Sequence, residues 1–160
     1  MFEITVLTVG KLKEKFYQAA CEEYQKRMKG YCSVQIIELP ECRLPENPSL
    51  GEIQLGLARE ALEIQKRIPK GAFFCVCTPE GKSLSSEELA DTMRQVKLSG
   101  RSSACFLIGS SFGIDPAVKA MADLRLSMSK MTFPHHLFRV MLLEQLYRAE
   151  TIQAGTKYHK

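Results

Sequence analysis

Residues 124–160 read LRLSMSKMTFPHHLFRVMLLEQLYRAETIQAGTKYHK. The alternation of apolar and polar residues at 124–128 is typical of a half-buried β-strand. A helix is predicted from about residue 133 to about residue 153, because Pro134 suits a first helical turn and Gly155 ends the pattern.

This last helix is apolar on most sides over residues 137–143. A helix that is apolar all round is buried, either in its own core or against a partner. In a chain of 160 residues we interpret it as a buried dimer face. Its few polar residues include Glu144 and Arg148, which stand four apart with the acid first, the order that favours a pair on one helix face.

The positive charge of the chain is concentrated in the same segment. Residues 1–118 hold 15 basic and 15 acidic side chains, so the net charge of +4 comes from residues 119–160, which also hold all three histidines. A localised positive field beside apolar surface favours a polyanionic partner. A solvated helix face is the alternative explanation.

Length and composition indicate one globular domain over residues 1–160, with 45% hydrophobic and 25% charged residues. No apolar run reaches the ~20 residues of a membrane span, and Met1 leads directly into a strand pattern, so neither a membrane segment nor a signal peptide is expected. Six cysteines are scattered without a CxxC pair, so we expect small buried hydrophobes in the reducing cytoplasm, and no metal site.

Strand and helix patterns alternate along the whole chain. Strands are predicted at 2–9, 34–39, 72–77, 104–108 and 124–128, and helices at 11–29, about 50–68, 85–100, from about 115, and 133–153. This order predicts an α/β fold with a largely parallel sheet flanked by helices. The first helix carries an apolar stripe that includes Leu12, Phe16 and Met28, and the third begins with a capping box of Ser85 and Glu88.

A glycine-containing loop, Gly109–Gly113, follows a buried strand and precedes a helix. Ligands of open α/β sheets collect at the carboxyl ends of strands, and glycine lets a ligand approach the backbone closely. A strand-to-helix turn with unusual dihedral angles explains the glycines equally well. A GxGxxG motif would need glycine at Ser111, and a P-loop ending at residues 81–83 would need glycine at Val76, so dinucleotide redox chemistry and ATP hydrolysis are disfavoured.

The histidines fall in two places. His135 and His136 lie in the first turn of the last helix, where the helix dipole favours a neutral ring and packing is the expected role. Neighbouring residues point to different sides of a helix, so a shared metal is unsupported. His159 lies in the tail beside Lys157 and Tyr158, a combination that suits contact with nucleobases, the alternative being a disordered tail.

Several stretches together resemble one known family. They are FLIGSSFG at 106–113, LSMSKMTFPHHLFRVMLLEQLYRAETI at 126–152 and the closing residues 158–160, with support from GKSLSSEELA at 81–90. Over its whole length the chain resembles the RlmH (YbeA) family of small bacterial SPOUT, or trefoil-knot, methyltransferases.

The resemblance implies an obligate homodimer whose protomers carry a trefoil knot within about residues 72–160. It implies the cofactor S-adenosylmethionine, bent into a pocket of three loops near the knot. The family's cofactor contacts fall on Cys77, Gly109, Met128, Ser129, Lys130, Met131, Thr132 and Phe133. The implied reaction is methylation at N3 of a pseudouridine in a hairpin loop of 23S rRNA, on assembled ribosomes.

Three positions depart from the family pattern without removing a group of obvious chemistry. Ser110 stands where the family has a second glycine, Cys77 replaces a leucine-like residue, and Lys157 replaces a proline. Two other functions stay open: a ribosome-binding protein that kept the knot but lost catalysis, and an enzyme that uses the same cofactor on a small molecule.

The expected chemistry needs alignment of methyl donor and acceptor, and removal of the N3 proton by a base. We expect His159 and Arg139 to be the catalytic residues. Contacts to RNA are expected from Arg139, Arg148, Lys157, Tyr158, His159 and Lys160.

Overall fold

A computed structural model describes all residues from Met1 to Lys160, and strands and helices alternate through it as predicted. The elements in chain order are β1 (Glu3–Val9), α1 (Lys15–Met28), β2 (Ser33–Leu39), α2 (Leu50–Arg67), β3 (Phe73–Ser83), α3 (Ser86–Leu98), β4 (Ser103–Ile108), α4 (Pro116–Ala120), β5 (Leu124–Ser127) and α5 (His135–Gln153).

The five strands form one sheet in the order β2-β1-β4-β3-β5, and every neighbouring pair is parallel. The predicted α/β fold with a parallel sheet is therefore confirmed. Each face of the sheet carries its own hydrophobic cluster, with α1, α3 and α5 on one face and α2 and α4 on the other. Every residue of β4 is buried, because helices cover this central strand on both sides.

Helix α5 packs against both α1 and α3. Its residues Leu142, Leu143, Leu146 and Ala149 are each at most 1% exposed and belong to the larger core cluster. The chain's own core accounts for the apolar character of these four residues, of which Leu142 and Leu143 lie in the stretch 137–143 interpreted as a dimer face. The dimer itself stays a prediction.

The predicted apolar stripe of α1 is confirmed at Met28 and wrong at Phe16. Phe16 is 67% exposed and lies against Tyr17, whereas Cys21 and Met28 are the buried residues of this helix. The helix begins at Lys15 and not at residue 11, so Leu12 is buried from the preceding loop. A stripe counted from Leu12 therefore assigns Phe16 to the wrong face.

Strand β5 pairs with β3 on both sides of an irregularity. Leu124–Leu126 pair with Cys75–Cys77, and the end of β5 then pairs with Lys82 and Ser83. The turn predicted at residues 78–81 thus lies within a long irregular strand. A Cβ on Gly81 would stand 2.8 Å from the carbonyl carbon of Arg125, so only glycine fits where these two backbones meet.

Five of the six cysteines are buried and none forms a disulfide, which confirms their expected role as small core residues. No group of three or more His, Cys, Asp or Glu side chains is arranged to hold a metal ion. None of the five helices combines the length and the apolar character that crossing a bilayer requires.

Candidate functional site

A cleft opens at the carboxyl edge of the sheet, where ligands of parallel α/β sheets bind, beside the irregular middle of β3 and the ends of β4 and β5. Its walls are residues 77–79 in the middle of β3, the segments that follow β4 and β5, and the start of α5. The lining residues are Cys77, Thr78, Pro79, Ile108, Gly109, Ser110, Ser111, Gly113, Ile114, Leu126, Ser127, Met128, Ser129, Met131, Thr132, Phe133, His135 and Phe138. Seven of the eight residues expected to bind the cofactor therefore lie together here, and Lys130 alone does not line the cleft.

The loop after β4 is shaped by packing within the chain. A Cβ on Gly109 would stand 2.4 Å from Cγ1 of Ile114 and 2.7 Å from the carbonyl oxygen of Gly113. Gly113 has φ of 101°, in the left-handed region that favours glycine. Intrachain contacts thus explain both glycines. Ser110 is buried at an ordinary negative φ, so serine fits this family-glycine position without backbone strain.

The loop after β5 folds on itself before α5 begins. The Ser127 hydroxyl donates to the carbonyl oxygen of Ser129 at 2.9 Å, and the Ser129 hydroxyl accepts from the N–H of Met131 at 3.1 Å. These bonds hold the side chains of residues 128–133 in a fixed turn over the cleft.

The Thr78 hydroxyl is an unpaired polar group in the cleft. Thr78 is 4% exposed, and its Oγ1 has no hydrogen-bond partner. The nearby Glu80 carboxylate is bound by Lys119 at 2.5 Å, and this bond, with a smaller contribution from the Thr78 side chain, lowers the pKa of Glu80. Buried polar groups are normally paired, so the free hydroxyl marks a position where a ligand can donate or accept. With Ile108 and Leu126 as apolar walls, the cleft suits a ligand that has a flat ring and polar ends.

His135 is the one imidazole in the lining of the cleft. Desolvation lowers the pKa of its ring more than the negative charge of Glu41 raises it. The ring is therefore neutral at pH 7, as expected at a helix start, and can accept a proton. Its position in the cleft was not anticipated from the sequence, which indicated only packing.

A family model described as predicted SPOUT methyltransferase matches residues 2–159. The chain belongs to the SPOUT methyltransferase family. The resemblance seen in the sequence is confirmed by relatives as well.

Two relatives that are similar to this chain are both named Ribosomal RNA large subunit methyltransferase H. The protein of Clostridium botulinum (strain 657 / Type Ba4) is 46% identical over 157 residues, which cover 98% of this chain and 99% of the relative. That of Clostridioides difficile (strain 630) is 44% identical over the same length and coverage.

A solved structure supports the fold alone. The probable methylase family protein from Haemophilus influenzae Rd KW20 is 11% identical and has a TM-score of 0.53. The match covers 99% of this SPOUT chain and 70% of the other.

The C-terminal tail of the SPOUT chain is docked on its own helices. Nε2 of His159 lies 2.7 Å from Oε1 of Glu87, and Nδ1 lies 3.1 Å from Nη1 of Arg148. The Tyr158 hydroxyl donates to Glu144 at 3.1 Å, and its ring packs edge-on against Tyr147. The tail is therefore ordered, which excludes the disordered alternative for Tyr158 and His159.

This docking occupies both nitrogens of His159. A guanidinium only donates, so Nδ1 accepts from Arg148 and Nε2 donates to Glu87, which leaves no lone pair free for a substrate proton. Arg148 is also ten residues beyond Phe138, the last α5 residue in the cleft, or roughly 15 Å along the helix. Within one chain, His159 does not reach the cleft.

Arg139 is 5% exposed, and its Nη1 lies 2.9 Å from Oε2 of Glu38. The same carboxylate oxygen accepts from the N–H of Leu12 at 2.7 Å. Burial raises the pKa of Glu38, but the Leu12 and Arg139 contacts outweigh it and the net pKa is lowered. Arg139 therefore ties α5 to the end of β2, and its burial leaves no surface for an RNA phosphate.

Three of the seven basic side chains in residues 119–160 form ion pairs within the chain. Lys119 pairs with Glu80, Arg139 with Glu38, and Arg148 with Glu144. Lys157 and Lys160 are exposed in the tail. The local charge excess is thus weaker in the fold than in the sequence.

Proposed function

We propose that this chain transfers the methyl group of S-adenosylmethionine to N3 of a pseudouridine in 23S rRNA of the large ribosomal subunit. The observation that carries this proposal is the convergence of the irregular middle of β3 and the loops after β4 and β5 on one cleft, in a chain that belongs to a methyltransferase family. The large-subunit substrate follows the names of relatives that are 44–46% identical over the full length. A ribosomal substrate would place the protein in the cytoplasm.

The residues of the cleft fit this cofactor. Ile108, Ile114 and Leu126 offer apolar contacts for an adenine ring, and the unpaired Thr78 hydroxyl offers a hydrogen bond to a polar end. When bound, the sulfonium supplies an electrophilic methyl group. The turn at residues 128–133 would hold the cofactor through Met131 and Phe133, which line the cleft.

The N3 proton needs an acceptor, and His135 is the group that the geometry favours. It lines the cleft, its ring is neutral because burial lowers its pKa, and neither nitrogen is engaged by the protein. In this proposal His135 takes the proton that N3 releases, and the N3 lone pair forms the new bond to the methyl carbon while the carbon–sulfur bond breaks and its electron pair stays on sulfur, which leaves as a neutral thioether. His159, with both nitrogens engaged, is an anchor of the tail within its own chain; a catalytic role for it requires the cleft of a second copy.

We also propose that the chain is a single knotted domain that works as a homodimer. The close crossing of Gly81 over the backbone of β5 lies inside the region 72–160 where the family carries its knot. The ring of Phe16 is exposed and offers apolar surface to a second copy. It lies against Tyr17, which contacts His136 at the start of α5.

Two measurements test the activity against the non-catalytic alternative. Calorimetric titration with S-adenosylmethionine should give saturable heat at one site per chain, and a tritiated methyl group should pass to ribosomes from cells that lack the protein. A ribosome-binding protein without catalysis would transfer no label. Ser110 departs from the family pattern but fits its loop without strain, so this departure does not favour the non-catalytic alternative.

A further inference from the structure

Beside the cleft lies a second, wider depression at the carboxyl ends of β1 and β2, and we propose that it receives the single-stranded RNA that carries the target base. We call it the entry groove. It is lined by Val9, Gly10, Lys11, Lys13, Glu38, Leu39, Pro40, Glu41, Cys42, Arg43, Leu44, Pro45, Ser111, Phe112, His135 and His136. This inference rests on the proposed function and adds the surface through which the substrate reaches the cofactor.

The entry groove and the cofactor cleft are continuous. Ser111 and His135 line both, so they form the boundary between the two spaces. A nucleotide whose backbone follows the groove can therefore extend its base past this boundary to the reacting methyl group. The same boundary holds the neutral imidazole proposed as the proton acceptor.

The charge of the groove suits a polyanion. Lys11, Lys13 and Arg43 are exposed there, and none of the three forms an ion pair within the chain. Of the two carboxylates in the lining, Glu38 is already bound by a buried guanidinium and a backbone N–H, which leaves Glu41 alone against three free cations. These cations come from the part of the sequence that is neutral overall, so charge counting along the chain did not reveal them.

An aromatic side chain stands where a base would pass. Phe112 is 44% exposed, lies in the loop after β4 and lines the entry groove but not the cofactor cleft. Exposed aromatic rings in cationic grooves are platforms on which unpaired bases stack. Phe112 adjoins Ser111 at the boundary, so a stacked base would be held at the entrance to the cleft.

The outer wall of the groove is preformed. The N–H of Cys42 donates to Oε2 of Glu60 at 2.8 Å, and Glu60 is only 7% exposed. The side chain of Leu44 packs against Gly56 of α2. The proline-containing segment 40–45 is thus fixed to α2, and Arg43 is presented from an ordered backbone.

A charge-removal experiment tests the groove with a matched control. The test variant combines Lys11→Gln, Lys13→Gln and Arg43→Gln, and the control combines Lys26→Gln, Lys29→Gln and Lys70→Gln, three exposed cations near the opposite edge of the sheet. The probe is an RNA hairpin with pseudouridine in its loop. Loss of three single-strand phosphate contacts should weaken binding about 100-fold at 0.1 M salt and lower the slope of log K against log salt by about 2. The control should change binding by about threefold or less.

The stacking contact is tested separately. Phe112→Ala should raise the KM for ribosomes about tenfold or more, because stacking on an aromatic ring contributes substantially for each base. Phe112→Tyr keeps the aromatic face and should restore the KM. The calorimetric affinity for S-adenosylmethionine should be unchanged in both, because Phe112 does not line the cofactor cleft.

The outcomes separate this inference from the function on which it rests. If the wild type transfers no methyl group, the proposed function fails. If the wild type is active but the triple variant binds the hairpin like the wild type, or loses no more than the control, the entry groove is refuted. If the triple variant loses ribosome binding yet keeps hairpin binding, the groove contacts ribosomal protein and the RNA assignment is overturned.

Discussion

The crossing of Gly81 over β5 gives the sharpest prediction for the fold. In Gly81→Ala, the new Cβ would lie 2.8 Å from Arg125 C, Arg125 O and Leu126 C, whereas ordinary contact begins at 3.4 Å. The two backbones must therefore separate by roughly 0.6 Å, and no rotamer change can relieve backbone contacts. Overpacking of this kind costs about 1–3 kcal/mol, and we expect the upper end, with a Tm lower by roughly 6–12 °C.

Urea and thermal unfolding at fixed protein concentration measure this loss. Gly30→Ala is the matched control, because nothing lies within 4 Å of a Cβ at Gly30 and its φ is not positive. It should leave stability unchanged or raise it slightly. Affinity for S-adenosylmethionine should fall in Gly81→Ala alone, since β5 leads into the loop at 128–133. Stability of Gly81→Ala within about 0.5 kcal/mol of the control would refute the close crossing.

Three further substitutions test the site. Arg139→Gln should lower the free energy of unfolding by about 2 kcal/mol in urea, because it removes the buried partner of Glu38, and should leave the RNA affinity of the folded protein unchanged. The ion pair with Lys119 lowers the pKa of Glu80 from 4.5 to about 2. The contribution of this pair to folding stability is therefore complete above pH 4.5 and lost as pH falls towards 2. Because Glu80 is exposed, this contribution is under about 1 kcal/mol. Glu80→Gln should therefore flatten the acid limb of stability in that window, as acid titration of unfolding would reveal. Desolvation lowers the pKa of His135, so the single-turnover methylation rate should decline only as pH falls below 6.5. His135→Ala should abolish this pH dependence and most of the rate, whereas His159→Ala should keep the pH dependence. A His135→Ala variant that retains both the rate and its pH dependence would exclude His135 as the base.

The order of elements was predictable because its signals are local. Residue periodicity and turn residues act within a few positions, and they place all five strands and five helices in the right order. The start of α3 is a good example, since the Glu88 N–H bonds the Ser85 hydroxyl at 3.1 Å and the Ser85 N–H bonds the Glu88 carboxylate at 2.7 Å. Both bonds were expected from the sequence alone.

Long-range pairing could not be predicted in the same way. Arg139 looked free to bind phosphate because its partner, Glu38, stands 101 positions away in sequence. Nothing in the pattern near either residue indicates that α5 crosses the end of β2. The docking of His159 on Glu87, 72 positions away, was hidden for the same reason.

The site was predictable only in part. The cofactor residues came from resemblance to a family, because spacing alone did not distinguish a ligand loop from a turn at Gly109. His135 and Phe112 were missed as site residues, since their shared setting depends on the sheet order that brings the ends of β1, β2 and β4 together. Strand order is a global property, and it decides which loops become neighbours.

We propose that the cleft between the middle of β3 and the ends of β4 and β5 methylates ribosomal RNA. The most direct measurement is incubation of purified protein and S-adenosylmethionine with ribosomes from cells lacking the protein, followed by mass spectrometry of nucleosides from mapped rRNA fragments. The account predicts 3-methylpseudouridine at one position of 23S rRNA. A protein that binds the cofactor yet leaves every 23S nucleotide unmodified, or that modifies a different type of base, would contradict it.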